Sequence, residues 1–293
     1  MRILLFLGTN IAVLVLVGFI FNLLGLQGVL AENGVDLNLS SLLIMCAVFG
    51  FGGSLISLFL SKWMAKRGTG AVVIEQPGNR DEQWLVDTVK ELSQAAGIGM
   101  PDVAIFPSQA ANAFATGWNR NAALVAVSAG LLERFQPEEV KAVMAHEIGH
   151  VANGDMVTLT LIQGVINTFV LFLARIIGHT VDRVVFKNER GFGIGYFVVS
   201  IVAQILLSFL ASIIVFRFSR WREYRADHAG ATLTTKAHMI AALQRLQYEQ
   251  GQPQDLPGEL TAFGISEQLK EGISGLFRSH PPLDDRIRAL QAA

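Results

Sequence analysis

The chain has 293 residues, of which 52% are hydrophobic and only 16% charged, with a mean hydropathy of +0.44. Soluble proteins of this size are seldom so apolar, and the composition points to a membrane protein. With 23 basic and 24 acidic residues the net charge is −1 and no basic stripe stands out, which argues against nucleic acid as a partner, while the single Cys46 rules out an internal disulfide framework.

Four apolar stretches, at about 3–25, 37–60, 157–178 and 193–217, each reach the roughly 20 residues that a hydrocarbon core requires. The first is too long for a signal-peptide core, lacks a small-residue cleavage pattern and is followed at once by a second span, so it is expected to be a retained anchor. Asn10 and Asn22 within it suit hydrogen bonds to neighbouring helices, and Gly50, Gly52 and Gly53 in "VFGFGGS" suit close helix packing. Neither N-terminal span has an ionised residue in its interior, which argues against a channel or transporter. Arg2 precedes the first span, Lys62, Lys66 and Arg67 follow the second, and the loop "QGVLAENGVD" between them carries only Glu32 and Asp36. Both ends of this first hairpin are therefore expected in the cytoplasm. The connection "HTVDRVVFKNERG" mixes Arg183, Lys187 and Arg190 with Asp182 and Glu189, and leaves open whether the third and fourth stretches cross fully or are re-entrant.

Between the second and third stretches the pattern changes. "AVVIEQ", "DVAIFP" and "AALVAVS" read as short strands bounded by Pro, Gly and Asn. "DEQWLVDTVKELSQAAGIG" has helical spacing, with Asp81 as its expected N-cap and Gly97 as its stop. Pro137 suits the first turn of a further helix, Glu138 and Glu139 favour its positive end, and this helix is expected to run to about Gly154. From Ser219 onward the chain reads as mostly helical, interrupted around residues 251–258.

That second helix contains "HEIGH". His146 and His150 are four residues apart, so their imidazoles project from one helix face and can reach a single ion. Glu147 is rotated off that face yet close enough to take a proton from the attacking water. A catalytic zinc of this kind needs a third protein ligand and an open position. "SRWREYRADHAGA" offers Glu223 as ligand and, four residues on, Asp227 to accept a hydrogen bond from a ligand histidine, the alternative being an ordinary charged face with Arg222 and Arg225. Two histidines, a carboxylate and an open position favour zinc over other divalent ions.

"HEIGHVANGD", "REYRAD", "NAFATG" and "SHPPLDDRI", together with two N-terminal spans, resemble the HtpX membrane metalloproteases, relatives of the CAAX prenyl proteases among the gluzincins. The resemblance covers essentially the whole chain. It implies His146, His150 and Glu223 as ligands of one zinc ion per chain, Glu147 as general base, and cleavage of peptide bonds in unfolded or damaged membrane proteins, as stress-related quality control in bacteria. It also gives "NAFATG" a role: Asn112, Ala113, Phe114 and Ala115 would form an edge strand whose free backbone groups hold an extended substrate. His280 has three readings: donor to the reaction's oxyanion, fourth zinc ligand when no substrate is present, or an ordinary loop histidine ahead of a helix begun by Pro281 and Pro282.

The expected fold class is α+β: a polytopic α-helical membrane protein with a mainly helical, zincin-type protease domain carrying a small β-sheet. The expected division is 1–60 as a transmembrane hairpin, 61–156 as the first part of the protease domain, 157–217 as a second transmembrane or re-entrant hairpin, and 218–293 as the rest of the protease domain. His150 and Glu223 flank the second hairpin, so an even number of crossings must separate them. With the basic residues after the second span, this puts the site on the cytoplasmic side; the resemblance implies that the membrane is a bacterial inner membrane, with the lipid bilayer and unfolded membrane-protein segments as partners. The rival readings are a CAAX-type prenyl protease and a non-catalytic zinc-dependent scaffold; an intact Glu147 argues against the second.

Overall fold

The computed structural model describes residues 15, 19, 28, 37–188, 191–250 and 280–293. The first apolar stretch with Asn10 and Asn22, most of the loop after it, Glu189, Arg190 and the segment 251–258 lie outside the described residues. In chain order the described elements are α1 (Leu39–Thr69), β1 (Val72–Val73), α2 (Arg80–Ala95), β2 (Asp102–Phe106), β3 (Ala113–Thr116), β4 (Leu124–Ser128), α3 (Ala129–Arg134), α4 (Pro137–Asn153), α5 (Asp155–Val184), α6 (Ile194–Leu233), α7 (Lys236–Gln250) and α8 (Leu283–Ala292). The chain divides into two compact units, Met1–Ser57 with Thr158–Val215, and Leu58–Val157 with Phe216–Ala293. The class is the expected one, mostly helical with a small mixed sheet.

The first unit is built from the apolar parts of α1, α5 and α6, and these three helices are long and apolar enough to cross a membrane. Gly50 on α1 faces Gly164 and Thr168 on α5 so closely that a Cβ would stand 2.6 Å from Thr168 Oγ1. Small residues let backbones approach where lipid supplies no hydrophobic drive between helices. Gly50 thus packs against a helix, whereas Gly52 and Gly53 meet nothing among the described residues. Asn167 Nδ2 donates to Ser54 Oγ at 3.3 Å and Gln163 Nε2 donates to Asn167 Oδ1 at 2.8 Å, a neutral polar chain between α1 and α5. Cys46 is buried beside Leu39, Leu43 and Phe172, as a core residue. Asp182, near the end of α5, accepts from the backbone N–H of Gly193 at 2.9 Å and of Tyr196 at 3.2 Å, so it caps α6 from outside that helix and closes the turn.

The second unit carries the sheet, in the order β1-β2-β4-β3. β2 and β4 are parallel, while β1 and β3 lie antiparallel at the edges, with Ala113 opposite Val127 and Thr116 opposite Leu124. β4 is buried throughout, and one core gathers Val125 and Val127 with Leu85, Val89 and Leu92 of α2 and Val140, Met144 and Ile148 of α4. The N-cap of α2 is Asn79, whose side chain accepts from Glu82 N, and not Asp81, which lies in the first turn. Gly97, at φ 65, ends that helix as expected. α6 runs unbroken from Ile194 to Leu233, so the apolar stretch and the polar "SRWREYRAD" segment form one helix.

Candidate active site

The sequence around "HEIGH" specifies its helix from both ends. Pro137 occupies the first turn, where its missing N–H loses no bond, and the Glu139 carboxylate accepts from Gln136 N at 2.9 Å. Gly154 ends α4 in the left-handed region at φ 70, and its N–H returns to the carbonyls of His150 and Val151. Inside these limits the apolar residues turn to the core, while the rings of His146 and His150 meet edge to face, with centroids 4.7 Å apart.

Small residues bring α6 to α4. A Cβ on Gly149 would stand 2.8 Å from Ala229 Cβ, and one on Gly230 would stand 3.3 Å from His146 N. This close crossing puts the Glu223 carboxylate opposite both histidines. Glu223 Oε2 lies 3.6 Å from His146 Nε2, and Oε1 lies 3.3 Å from His150 Nε2. Glu223 itself is 1% exposed, so its charge requires partners of opposite sign.

Each histidine is held from behind by a carboxylate. Asp227 Oδ1 stands 2.9 Å from His146 Nδ1, the pairing the i,i+4 spacing predicts. Asp155 Oδ2 stands 2.7 Å from His150 Nδ1. These partners hold Nδ1 of each ring from behind and aim Nε2 at Glu223, so that Nε2 is the nitrogen offered to an ion once its proton is lost. Asp155 was not among the sequence candidates, although it closes "HEIGHVANGD". It lies five residues past His150, off the helical repeat, and reaches back because the left-handed Gly154 breaks the helix between them. Arg286 was also missed. Its buried guanidinium grips Asp227 in a fork, with Nε to Oδ2 at 2.8 Å and Nη2 to Oδ1 at 2.6 Å, and its Nη1 lies 3.5 Å from Glu223 Oε2. The signal was a lone arginine in "SHPPLDDRI", 59 residues from its partner.

Burial disfavours charge on every group of this cluster, and the contacts overcome it. Against that desolvation, the carboxylates of Asp155 and Glu223 push His150 up to about 9, and those of Asp227 and Glu223 raise His146. The same burial would raise the two carboxyls, but the three histidines around Glu223, and Arg286 beside Asp227, hold both below the ordinary carboxylate range.

The cluster forms the wall of a cleft of about 740 Å³ that also exposes Glu147, Asn112, Ala113 and His280. β3 packs against α4 as the outer strand of the sheet, so one of its edges is unpaired among the described residues. Of the four strand candidates, Asn112 and Ala113 line the cleft, whereas Phe114 turns to the opposite sheet face against Phe106 and Ala115 packs on the core. His280 Nδ1 stands 2.7 Å from Glu223 Oε2, with its own side chain 64% exposed.

The donor set fits a metal ion. One ligand atom from each of His146, His150 and Glu223 lies within 4.8 Å of the others. Two ligands each about 2.1 Å from a tetrahedral ion stand about 3.4 Å apart, and the two Nε2-to-carboxylate distances are 3.3 and 3.6 Å. Glu223 Oε2 is buried with no aligned hydrogen bond.

The model of peptidase family M48 matches residues 79–293. The chain is also 65% identical over 291 residues to "Protease HtpX" of Pseudomonas putida strain GB-1, and 64% identical over 291 residues to that of Pseudomonas syringae pv. syringae strain B728a, with 99% of both chains covered in each case. The chain belongs to peptidase family M48, among the HtpX proteases. Family M48 consists of metallopeptidases, so this is a membrane metalloprotease, and the His146, His150 and Glu223 group is compatible with the metal that the family implies. The fold extends beyond close relatives: the crystal structure of S. mikatae Ste24p superposes with a TM-score of 0.62 at 18% identity, covering 95% of this chain and 67% of that one.

Proposed function

We propose that this M48 protease is a zinc-dependent endopeptidase of the bacterial inner membrane that hydrolyses peptide bonds in misfolded or damaged membrane proteins from the cytoplasmic side. The observation that carries the reading is the convergence of His146, His150 and Glu223 in a cleft that also holds Glu147 and an edge strand. A zinc ion held by those three side chains would supply Lewis acidity and lower the pKa of water. Glu147, next to His146 but off the ligand face, takes the proton from the attacking water and passes it to the leaving amine. Asp227 and Asp155 keep the two imidazoles in the tautomer that offers Nε2.

The backbone on the open side of Asn112 and Ala113 pairs with an extended substrate. Phe114, packed on the far face of the sheet, and Ala115, packed on the core, anchor that strand. Main-chain pairing tolerates many side chains, as a degrader of damaged proteins requires. His280 lies next to Glu223 on the cleft, where it either donates to the oxyanion or takes the fourth ligand position until substrate displaces it. The stretch 157–217 leaves the site after His150 and returns to it at Glu223, which fits two full crossings with the site in the cytoplasm beside the basic Lys66 and Arg67.

The test is digestion of casein and of an unfolded membrane protein with added zinc, with the metal content measured in parallel. Glu147→Gln keeps the metal and loses roughly 10²- to 10⁴-fold in turnover, while His146→Ala and Glu223→Ala lose metal and turnover together. Equal digestion by wild type and Glu147→Gln would overturn the mechanism. For His280→Ala, a drop of roughly 10²-fold with metal retained marks an oxyanion donor, higher activity marks a displaceable ligand, and unchanged activity marks an ordinary loop histidine.

A further inference from the structure

The turn between β3 and β4 holds Trp118 with an indole that is 51% exposed, although the turn itself is firmly ordered. Gly117 has φ 131, Ala122 N donates to Asn119 O at 3.0 Å, and Gly99 N donates to Asn121 Oδ1 at 2.9 Å. Two contacts tie the turn to the C-terminal part of α1. The Trp118 and Phe59 rings lie 5.6 Å apart, and Lys62 Nζ donates to Ala122 O at 3.2 Å while pairing with Asp102 at 2.9 Å. On α1 the apolar stripe continues past its long apolar run through Phe59, Trp63 and Met64, exposed by 57%, 60% and 52%. Lys66 and Arg67 follow on the same helix, and Arg120 lies two residues past Trp118 on the turn.

Exposed indoles next to basic residues, continuous with an apolar helix, have the composition of a membrane-water boundary, where the ring lies at headgroup depth and the cation meets lipid phosphate. A tryptophan on an ordered turn of a water-soluble surface would be expected to fold against its own domain; this one is held outward.

We propose that the β3–β4 turn, through Trp118 and Arg120, and the C-terminal part of α1, through Phe59, Trp63 and Arg67, form one surface seated in the anionic headgroup layer of the bilayer. Trp118 lies two residues beyond the end of β3, so this seat fixes the edge strand at a set distance from the lipid. Ala113 and Trp118 are five residues apart, at most about 17 Å of extended chain. Segments that emerge from the bilayer by some five or more residues therefore reach the strand. The seating rests on the surface alone; its consequence for cleavage rests on the reading of β3 as the substrate strand.

The full-length protein is reconstituted in vesicles of phosphatidylcholine with or without phosphatidylglycerol brominated at upper acyl positions, and the fluorescence of Trp118→Phe is subtracted from that of wild type. The Trp118 component is expected to be quenched by the brominated lipid and protected from iodide, more so with phosphatidylglycerol present, and Arg120→Glu is expected to reduce that protection. A Trp118 component open to iodide and untouched by bromine in both vesicles overturns the proposal. In the cleavage arm, Trp118→Ser with Arg120→Glu slows digestion of a bilayer-embedded substrate by at least about fivefold, the worth of one basic contact at the surface, while casein digestion is unchanged. Equal slowing of both substrates returns the turn to a local structural role. If wild type cuts neither substrate, the protease reading fails and the quenching result still decides the seating.

Discussion

The two units bury polar side chains in different ways. In the apolar unit the polar bonds between and along α1 and α5 are neutral: the half-buried Asn167 and Gln163 and the buried Ser54 share amide and hydroxyl bonds. In the second unit the buried set is ionic, with Glu223, Asp227, Asp155 and Arg286 around two histidines. Neutral groups fasten helices at low risk, because a lost bond leaves no charge stranded in an apolar medium. Charges under the same burial are tolerated only when each is paired. Asp182, a buried acid in the apolar unit, keeps to this rule: it is spent on the N-terminus of α6 and the Asn188 side chain.

The sharpest break in this contrast is Arg286→Leu, which strands Asp227 without its fork and is expected to destabilise the metal-free protein by about 3–5 kcal/mol in denaturant unfolding in micelles. Near-wild-type stability would mean that the ionic cluster is solvated. Next, Asp155→Ala and Asp227→Ala should each weaken zinc affinity by roughly 10- to 100-fold in competition with a chelator, since each histidine loses the group that orients it. Unchanged affinity for Asp155→Ala would leave that contact as a helix-start bond only.

The third effect is a dependence on pH. The metal-free pKa of His150 is raised to about 9, above the ordinary histidine value, so its protonated contacts contribute fully below about pH 6.5 and are lost as pH rises through 9. Zinc requires the neutral ring, so its apparent affinity should climb by about tenfold per pH unit from neutrality toward pH 9. A flat titration would show that His150 is already neutral. The smallest effect is expected in the apolar unit, where Asn167→Leu should cost about 0.6 kcal/mol, with no change in metal affinity. A loss as large as that of Arg286→Leu would erase the distinction between the two regions.

Local features were legible in the sequence because they depend on neighbours along the chain. Pro137, Glu139 and Gly154 delimit the metal helix, and the four-residue spacings of His146 with His150 and of Glu223 with Asp227 follow from the helical repeat. The N-cap of α2 was placed two residues late, because Asn79 and Asp81 both suit a cap and only the fold shows which one accepts from Glu82. Arg286 gave only a weak signal, the one arginine of "SHPPLDDRI", because nothing along the chain says that it is buried and its partner lies on another helix. Asp155 was hidden by the left-handed break, which removes it from the repeat that would have put it on the histidine face. The continuity of α6 was missed because the change from apolar to charged residues at about 217 marks a change of surroundings and not of backbone.

Gly149 touches none of the side chains that act, yet it sets how closely they meet. Any other residue adds a Cβ that would stand 2.8 Å from Ala229 Cβ, and the helix bearing Glu223 would have to move away. In a library that samples every residue at every position, Gly149 should therefore be as intolerant as His146 or Glu223, with alanine rejected along with the bulky residues. Its neighbour Ile148, buried in a core that can repack, should accept valine or leucine. In a survey of variants this glycine would stand out as part of the active site with no chemistry of its own.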